Sequence, residues 1–118
     1  MSNQSTGKIG EDLSASYLQK QGYRILARNY KARYGEIDIV AVKDAVLVFI
    51  EVKTRSDDSF GAPEEAVTPR KLREVVQTAE YFKLAHADLP DAMRIDVIGI
   101  QLSGPKVTYF KHTQNVTM

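Results

Sequence analysis

The chain has 118 residues, with 16 Lys and Arg against 15 Asp and Glu, so its net charge is +1. That length suits one compact domain over residues 1–118 with a real core. The balance of charge excludes a bulk polycation, and the absence of cysteine excludes disulfides and thiolate metal sites.

Ile9, Leu13, Tyr17 and Leu18 recur at helical spacing, so a helix is expected over 6–21, capped by Thr6 and stopped by Gly22. A strand follows over 23–30, with Arg24 and Arg28 on one face and Ile25 and Ala27 on the other. Lys31-Ala32-Arg33-Tyr34-Gly35 reads as a basic turn. Two β-like runs, 36–43 and 46–53, are then joined by Asp44-Ala45 alone, which predicts an antiparallel hairpin. Apolar residues lie on both of its faces, so both faces are expected to be covered. Residues 54–63 read as a loop and 64–67 as a short helical turn. Thr68-Pro69 supplies an N-cap and a first-turn proline for a second helix running to about Ala87. Its inward positions are Leu72, Val75, Val76, Ala79, Phe82 and Leu84 or Ala85. A strand over 93–102, a turn at Ser103-Gly104-Pro105 and a strand over 106–112 complete the chain. The order helix, three strands, helix, two strands predicts an α/β layered domain, a central mixed sheet flanked by helices.

Counting back from the two-residue turn pairs Lys43 with Val46, Val42 with Leu47 and Val40 with Phe49. Asp38 then falls opposite Glu51, and strand alternation puts both, with Lys53, on the face of Val40 and Phe49. Like charges so placed repel by roughly 3 kcal/mol at about 5 Å and an effective dielectric of about 20. A divalent cation, a shared proton or Lys53 would offset this. A carboxylate pair with a backbone carbonyl and waters is a typical Mg²⁺ environment. The plainer reading is an exposed strand end carrying a Glu51–Lys53 ion pair.

Glu11 is a third acid of interest: it either reaches the same pocket from the first helix or is an exposed first-turn glutamate favoured by the helix dipole. Gly7 and Gly10 permit close backbone approach, and Gly-x-x-Gly alone is a weak signal. Basic residues cluster locally. Arg24, Arg28, Lys31 and Arg33 flank the first strand and turn, Arg55 follows Lys53, and Arg70, Lys71 and Arg73 crowd the start of the second helix. With Tyr30 and Tyr34 interleaved they suit a phosphate backbone, or else form a solvated surface. Asp96 is expected to pair with Arg94 or a backbone group, and His86 and His112, which lack ligand-like spacing, to be structural or exposed. The opening stretch 1–7 lacks the apolar core of a signal peptide, and the apolar run Val46 to Ile50 is far too short to span a bilayer. The expectation is a cytoplasmic protein with no membrane partner.

Six motifs taken together resemble a known family. They are Gly7-x-x-Gly10-Glu11; Gly22-Tyr23-x-Ile25-Leu26-x-Arg28-Asn29; Gly35-Glu36-Ile37-Asp38; Val48-Phe49-Ile50-Glu51-Val52-Lys53-Thr54-Arg55; Phe60-Gly61-x-Pro63; and Arg94-Ile95-Asp96-Val97. The chain resembles the YraN family of small bacterial proteins over nearly its whole length. That family is similar to archaeal Holliday-junction resolvases and to the restriction-endonuclease-like PD-(D/E)xK nucleases. The resemblance implies that Asp38, Glu51 and Lys53 match the D, E and K of the core motif, with Glu11 as the helical acid and Ile37 in the place of the proline. It also implies a Mg²⁺- or Mn²⁺-dependent phosphodiester hydrolase acting on DNA, and a homodimer. On this reading Asp38, Glu51 and the Val52 carbonyl hold the metal, with Glu11 as an outer or second-metal ligand. A competing reading is a non-catalytic module on the same fold that binds nucleic acid or a protein partner.

Overall fold

The computed structural model describes residues 5–57 and 61–116. Phe60, the remainder of the expected loop at 58–59 and the first residues 1–4 lie outside the described residues. The elements are α1 (Thr6–Lys20), β1 (Arg24–Ala32), β2 (Gly35–Lys43), β3 (Val46–Arg55), a 3₁₀ turn (Pro63–Ala66), α2 (Pro69–Ala85), β4 (Met93–Ser103) and β5 (Lys106–Thr113). The strands form one mixed sheet in the order β1-β2-β3-β4-β5, antiparallel except for the parallel pair β3–β4 bridged by α2. The α/β layered architecture expected from the sequence is present. No helix among the described residues is long and apolar enough to cross a membrane.

Each sheet face carries one helix. On one face Ala15 and Leu18 of α1 pack with Ile39, Ala41, Val48, Ile50, Ile98 and Ile100. On the other, Val75, Ala79 and Phe82 of α2 pack with Ile37, Val40, Leu47 and Phe49. Ser5, not Thr6, caps α1, its side chain accepting from the Lys8 N–H. Leu84 and Ala85 are both exposed, contrary to the expected stripe. Leu84 lies about 200° around the helix from Phe82, and the buried Thr78 completes the inward face instead, donating to the Glu74 carbonyl at 2.8 Å.

Two local irregularities redirect side chains that simple alternation misassigns. A register shift between Ile25 and Ala27 places these residues on opposite faces, Ile25 toward α1 and Ala27 toward α2. A second shift, between Gln101 and Leu102, adjusts the β4–β5 pairing that sets Ile98 opposite His112. His112 is therefore not isolated. Its Nε2 lies 2.8 Å from Asp96 Oδ2 and its Nδ1 3.0 Å from the Tyr17 hydroxyl. Asp96 also accepts from Arg94 Nε and the Asn115 N–H, as the sequence expected of a buried acid. Burial alone would raise its pKa, but the bonds from His112, Arg94 and Asn115 outweigh it and hold the carboxyl below the usual range.

The β2–β3 turn keeps the counted register, pairing Lys43 with Val46, Val42 with Leu47 and Val40 with Phe49. Both turn residues have positive φ, 49° at Asp44 and 62° at Ala45, the geometry of a type I′ turn. Asp tolerates that region, whereas the Ala Cβ is strained there. Ala45→Gly is therefore expected to stabilise the protein by roughly 0.5–1 kcal/mol in urea unfolding. Equal or lower stability would contradict this description of the turn.

Candidate active site at the fork of β2 and β3

The β2–β3 ladder ends at Ile39–Ile50. Beyond it the Val52 N–H donates to Asp38 Oδ2 at 2.7 Å, a side chain standing in for a strand carbonyl. Val52 meanwhile pairs with Ile98 of β4, so β3 stays with β4 while β2, still paired with β1, parts from β3. The departure has a local cause. Asn29, between the pairs Arg28–Ile39 and Tyr30–Ile37, adopts φ 52°. Ile37 and Val40 then both face α2 while Ile39 faces α1, so alternation resets at Asp38. The expectation that Asp38 simply shares the face of Val40 is corrected. Its carboxylate turns toward the edge of β3 and lines a cleft of about 310 Å³ with Glu11, Asn29, Glu36 and Val52.

Glu51 follows the β3 alternation onto the α2 side and is buried. Its Oε1 has no hydrogen-bond partner among the described residues. Burial first, then the Asp38 carboxylate, pushes its pKa up from 4.5 to about 8, with Glu36 adding to the rise and Lys71 opposing it. The cation that reaches it is Lys71, whose Nζ lies 3.7 Å from Oε2. Lys53, the expected partner, is exposed and makes no ion pair among the described residues.

Glu11 is buried, which rules out the exposed first-turn reading. Gly10 sets its depth: a Cβ at this position would stand 1.7 Å from Thr54 Oγ1, so only glycine lets α1 press this closely on β3. Glu11 Oε1 accepts from Arg28 Nε at 3.0 Å and Asn29 Nδ2 at 2.9 Å. Arg28 also reaches Asp12 Oδ1 at 2.5 Å, and that bond, with one from Lys8, holds Asp12 below the usual carboxylate range. Among the described residues no three acidic or histidine side chains close into a ready metal cage. The fork offers two carboxylates, and Glu11 stands across the cleft, held by its own donors.

The basic residues do not form one patch. Arg24 lies opposite Val42, roughly 13 Å along the sheet from the level of Asp38. Lys31 and Arg33 are exposed at the far end of β1, with the Arg33 guanidinium 5.9 Å from the Tyr34 ring centre. Arg70 is exposed and, among the described residues, reaches Glu74 at 3.9 Å, and Arg73 is exposed one turn along. Arg55 is half-buried at the end of β3. Arg28 and Lys71 are brought directly onto site acids, Arg28 onto Glu11 and Lys71 onto Glu51. Sequence reasoning missed this role of Lys71 because its contact joins positions 20 residues apart through the crossover helix.

The fold and the fork define an α/β domain with a carboxylate pair, Glu51 buried and Asp38 half-buried, at the edge of a parting strand. The profile described as "Uncharacterised protein family UPF0102" matches residues 10–100, and the chain belongs to this family, the YraN family to which its motifs point. A UPF0102 protein of Syntrophomonas wolfei is 47% identical over 105 residues, covering 88% of this chain and 90% of its own length. Another, from Clostridium perfringens, is 47% identical over 98 residues, covering 83% and 80%. One from Mycolicibacterium vanbaalenii is 41% identical over 110 residues, covering 93% and 91%.

The raised pKa of Glu51 carries a signed consequence. Between pH 4.5 and about 8 the folded protein holds a proton at Glu51 that the unfolded chain has lost, so this group's contribution to stability falls as pH rises through that window. In metal-free buffer the stability of Glu51→Gln relative to the parent should grow from about pH 5 to about pH 8 and then level off. Urea unfolding across that range checks it, and a difference independent of pH would show that Glu51 titrates normally.

Proposed function

We propose that this protein is a Mg²⁺- or Mn²⁺-dependent endonuclease that hydrolyses phosphodiester bonds in DNA, with branched or single-stranded structures as its substrate class. The observation that carries the reading is Glu51: a buried carboxyl with an unpartnered Oε1, placed beside Asp38 where two strands part. A packing role does not call for Glu51 there, since burying a second acid beside the Asp38 carboxylate is costly.

The donor set suits a hard divalent cation. Asp38 and Glu51 would hold it with the Val52 carbonyl. That carbonyl projects from the same strand edge as the Val52 N–H, which meets Asp38. A cation bound there neutralises charge, polarises a phosphodiester oxygen and lowers the pKa of a coordinated water. Glu11 faces the same cleft with its donors among the described residues, Arg28 and Asn29, both on Oε1, which leaves Oε2 to orient water or serve as an outer ligand. Lys53, exposed and without an ion pair among the described residues, is free to steady the attacking water and the scissile phosphate.

Arg24, Lys31, Arg33, Arg55, Arg70 and Arg73 would engage the phosphate backbone from around the site, giving recognition of shape rather than of bases. With a net charge of +1, affinity depends on this local set. A homodimer, which the family resemblance implies, would present two such clefts to a two-stranded or branched substrate.

The test is a metal-dependent cleavage panel over duplex, single-stranded, flap and four-way-junction DNA. Asp38→Asn and Glu51→Gln are each expected to lower the single-turnover rate on the order of a hundredfold or more while the fold survives. Lys53→Ala should lose rate far more than binding. Parental rates in both carboxylate variants would remove these residues from the chemistry. No cleavage of any substrate by the parent with either metal would defeat the nuclease reading and leave a binding module.

A further inference from the structure

Three cations crowd the start of α2, and the geometry delivers one of them to the carboxylate pair. Arg70 is 85% exposed and turns outward to Glu74. Arg73 is exposed. Lys71 reaches back over the sheet to Glu51 Oε2. Its backbone is fixed on both sides: the Lys71 N–H donates to the capping Thr68 Oγ1 at 3.1 Å, and Leu72 beside it is buried.

The placement is unfavourable on local grounds. A cation in the first turn opposes the helix dipole, and ordering a lysine side chain costs up to about 2 kcal/mol of rotamer freedom. The contact is also loose. At 3.7 Å it exceeds hydrogen-bond length, and the lysine side chain is 36% exposed while that of Glu51 is 11% exposed. An ammonium on a flexible four-carbon stem, half in solvent, offsets the charge of Glu51 where that carboxyl is ionised, yet is easily moved aside.

We propose that Lys71 is a placeholder cation. In the metal-free protein its ammonium stands beside Glu51 Oε2 and leaves Oε1 open. A divalent cation arriving at Asp38 and Glu51 displaces it, and the released ammonium meets a phosphate oxygen of the nucleic acid. Lys71 is thus a positioning residue that couples metal arrival to substrate contact. The inference rests on the metal site proposed above.

The experiment is thermal unfolding against Mn²⁺ and Mg²⁺ concentration, without nucleic acid, for the parent, Lys71→Met, Lys71→Arg and Arg70→Met. Lys71→Met is expected to lower the metal-free Tm at about pH 8, enlarge the metal-induced shift and lower the half-saturating metal concentration several-fold. Lys71→Arg and Arg70→Met should follow the parent curve. Because each protein is compared with its own metal-free state, a general loss of stability does not imitate the result. If metal shifts the parent and Lys71→Met at the same concentration, or Lys71→Met binds more weakly, the placeholder role is overturned while the metal site stands. If metal shifts neither, the metal site falls and this role with it.

Discussion

One backbone donor decides much of this structure. Where β2 parts from β3, the Val52 N–H would lose its ladder partner, and Asp38 supplies an oxygen at 2.7 Å in its place. A buried unpaired N–H costs about as much as a lost hydrogen bond, so the fork needs a side-chain acceptor at that point. The acceptor is a carboxylate, and the next residue back along β3 is another, already buried. The cap that repairs the sheet therefore sets a second carboxylate beside Glu51; burial first, and that charge second, push the Glu51 pKa up to about 8, and its Oε1 has no partner among the described residues. The same opening of the strands gives the cleft its volume and exposes the β3 edge.

The two helices meet the fork from opposite faces. On one side Gly10 removes the side chain that would hold α1 away from Thr54, and Glu11 is carried down to the cleft wall. On the other, the capped first turn of α2 brings Lys71 to Glu51. The 3₁₀ turn follows a similar logic: Gly99, register partner of Lys53, has no side chain, and Glu64 fills that space. Thus close approach, rather than a long ligand side chain, gathers the acids. One strand over from the fork, where Asp96 is the register partner of Ile50, the set of Arg94, Asp96, His112 and Tyr17 ties β4, β5 and α1 together, with both carboxylate oxygens of Asp96 and both ring nitrogens of His112 partnered.

What the sequence made legible was local. Asp44-Ala45 specified a two-residue hairpin, and counting from it set every β2–β3 pair down to Val40–Phe49. Thr68-Pro69 marked the start of α2 because cap and proline act within one turn. The acids and Lys53 of the core motif were visible as a pattern. Their directions were not. The turn of Asp38 toward β3 depends on Asn29 in a left-handed conformation on the neighbouring strand, and that conformation carries only a weak sequence signal. The positions of Ile25 and Ala27 depend on a bulge, and the contact of His112 with Asp96 on a hairpin with its own register shift. Lys71 was legible as a cation on a helix, yet only the β3–α2–β4 crossover identifies the acid it meets.

The central claim is that Asp38 and Glu51 form a site for a divalent cation that must drive a proton from Glu51. Calorimetric titration of Mn²⁺ into the metal-free protein at about pH 7, repeated in buffers of different ionisation enthalpy, measures both events at once. The account predicts saturable binding with release of about one proton per metal, falling toward none well above pH 8, and loss of both in Glu51→Gln. No saturable binding at millimolar metal, or binding that Glu51→Gln leaves unchanged, would contradict it.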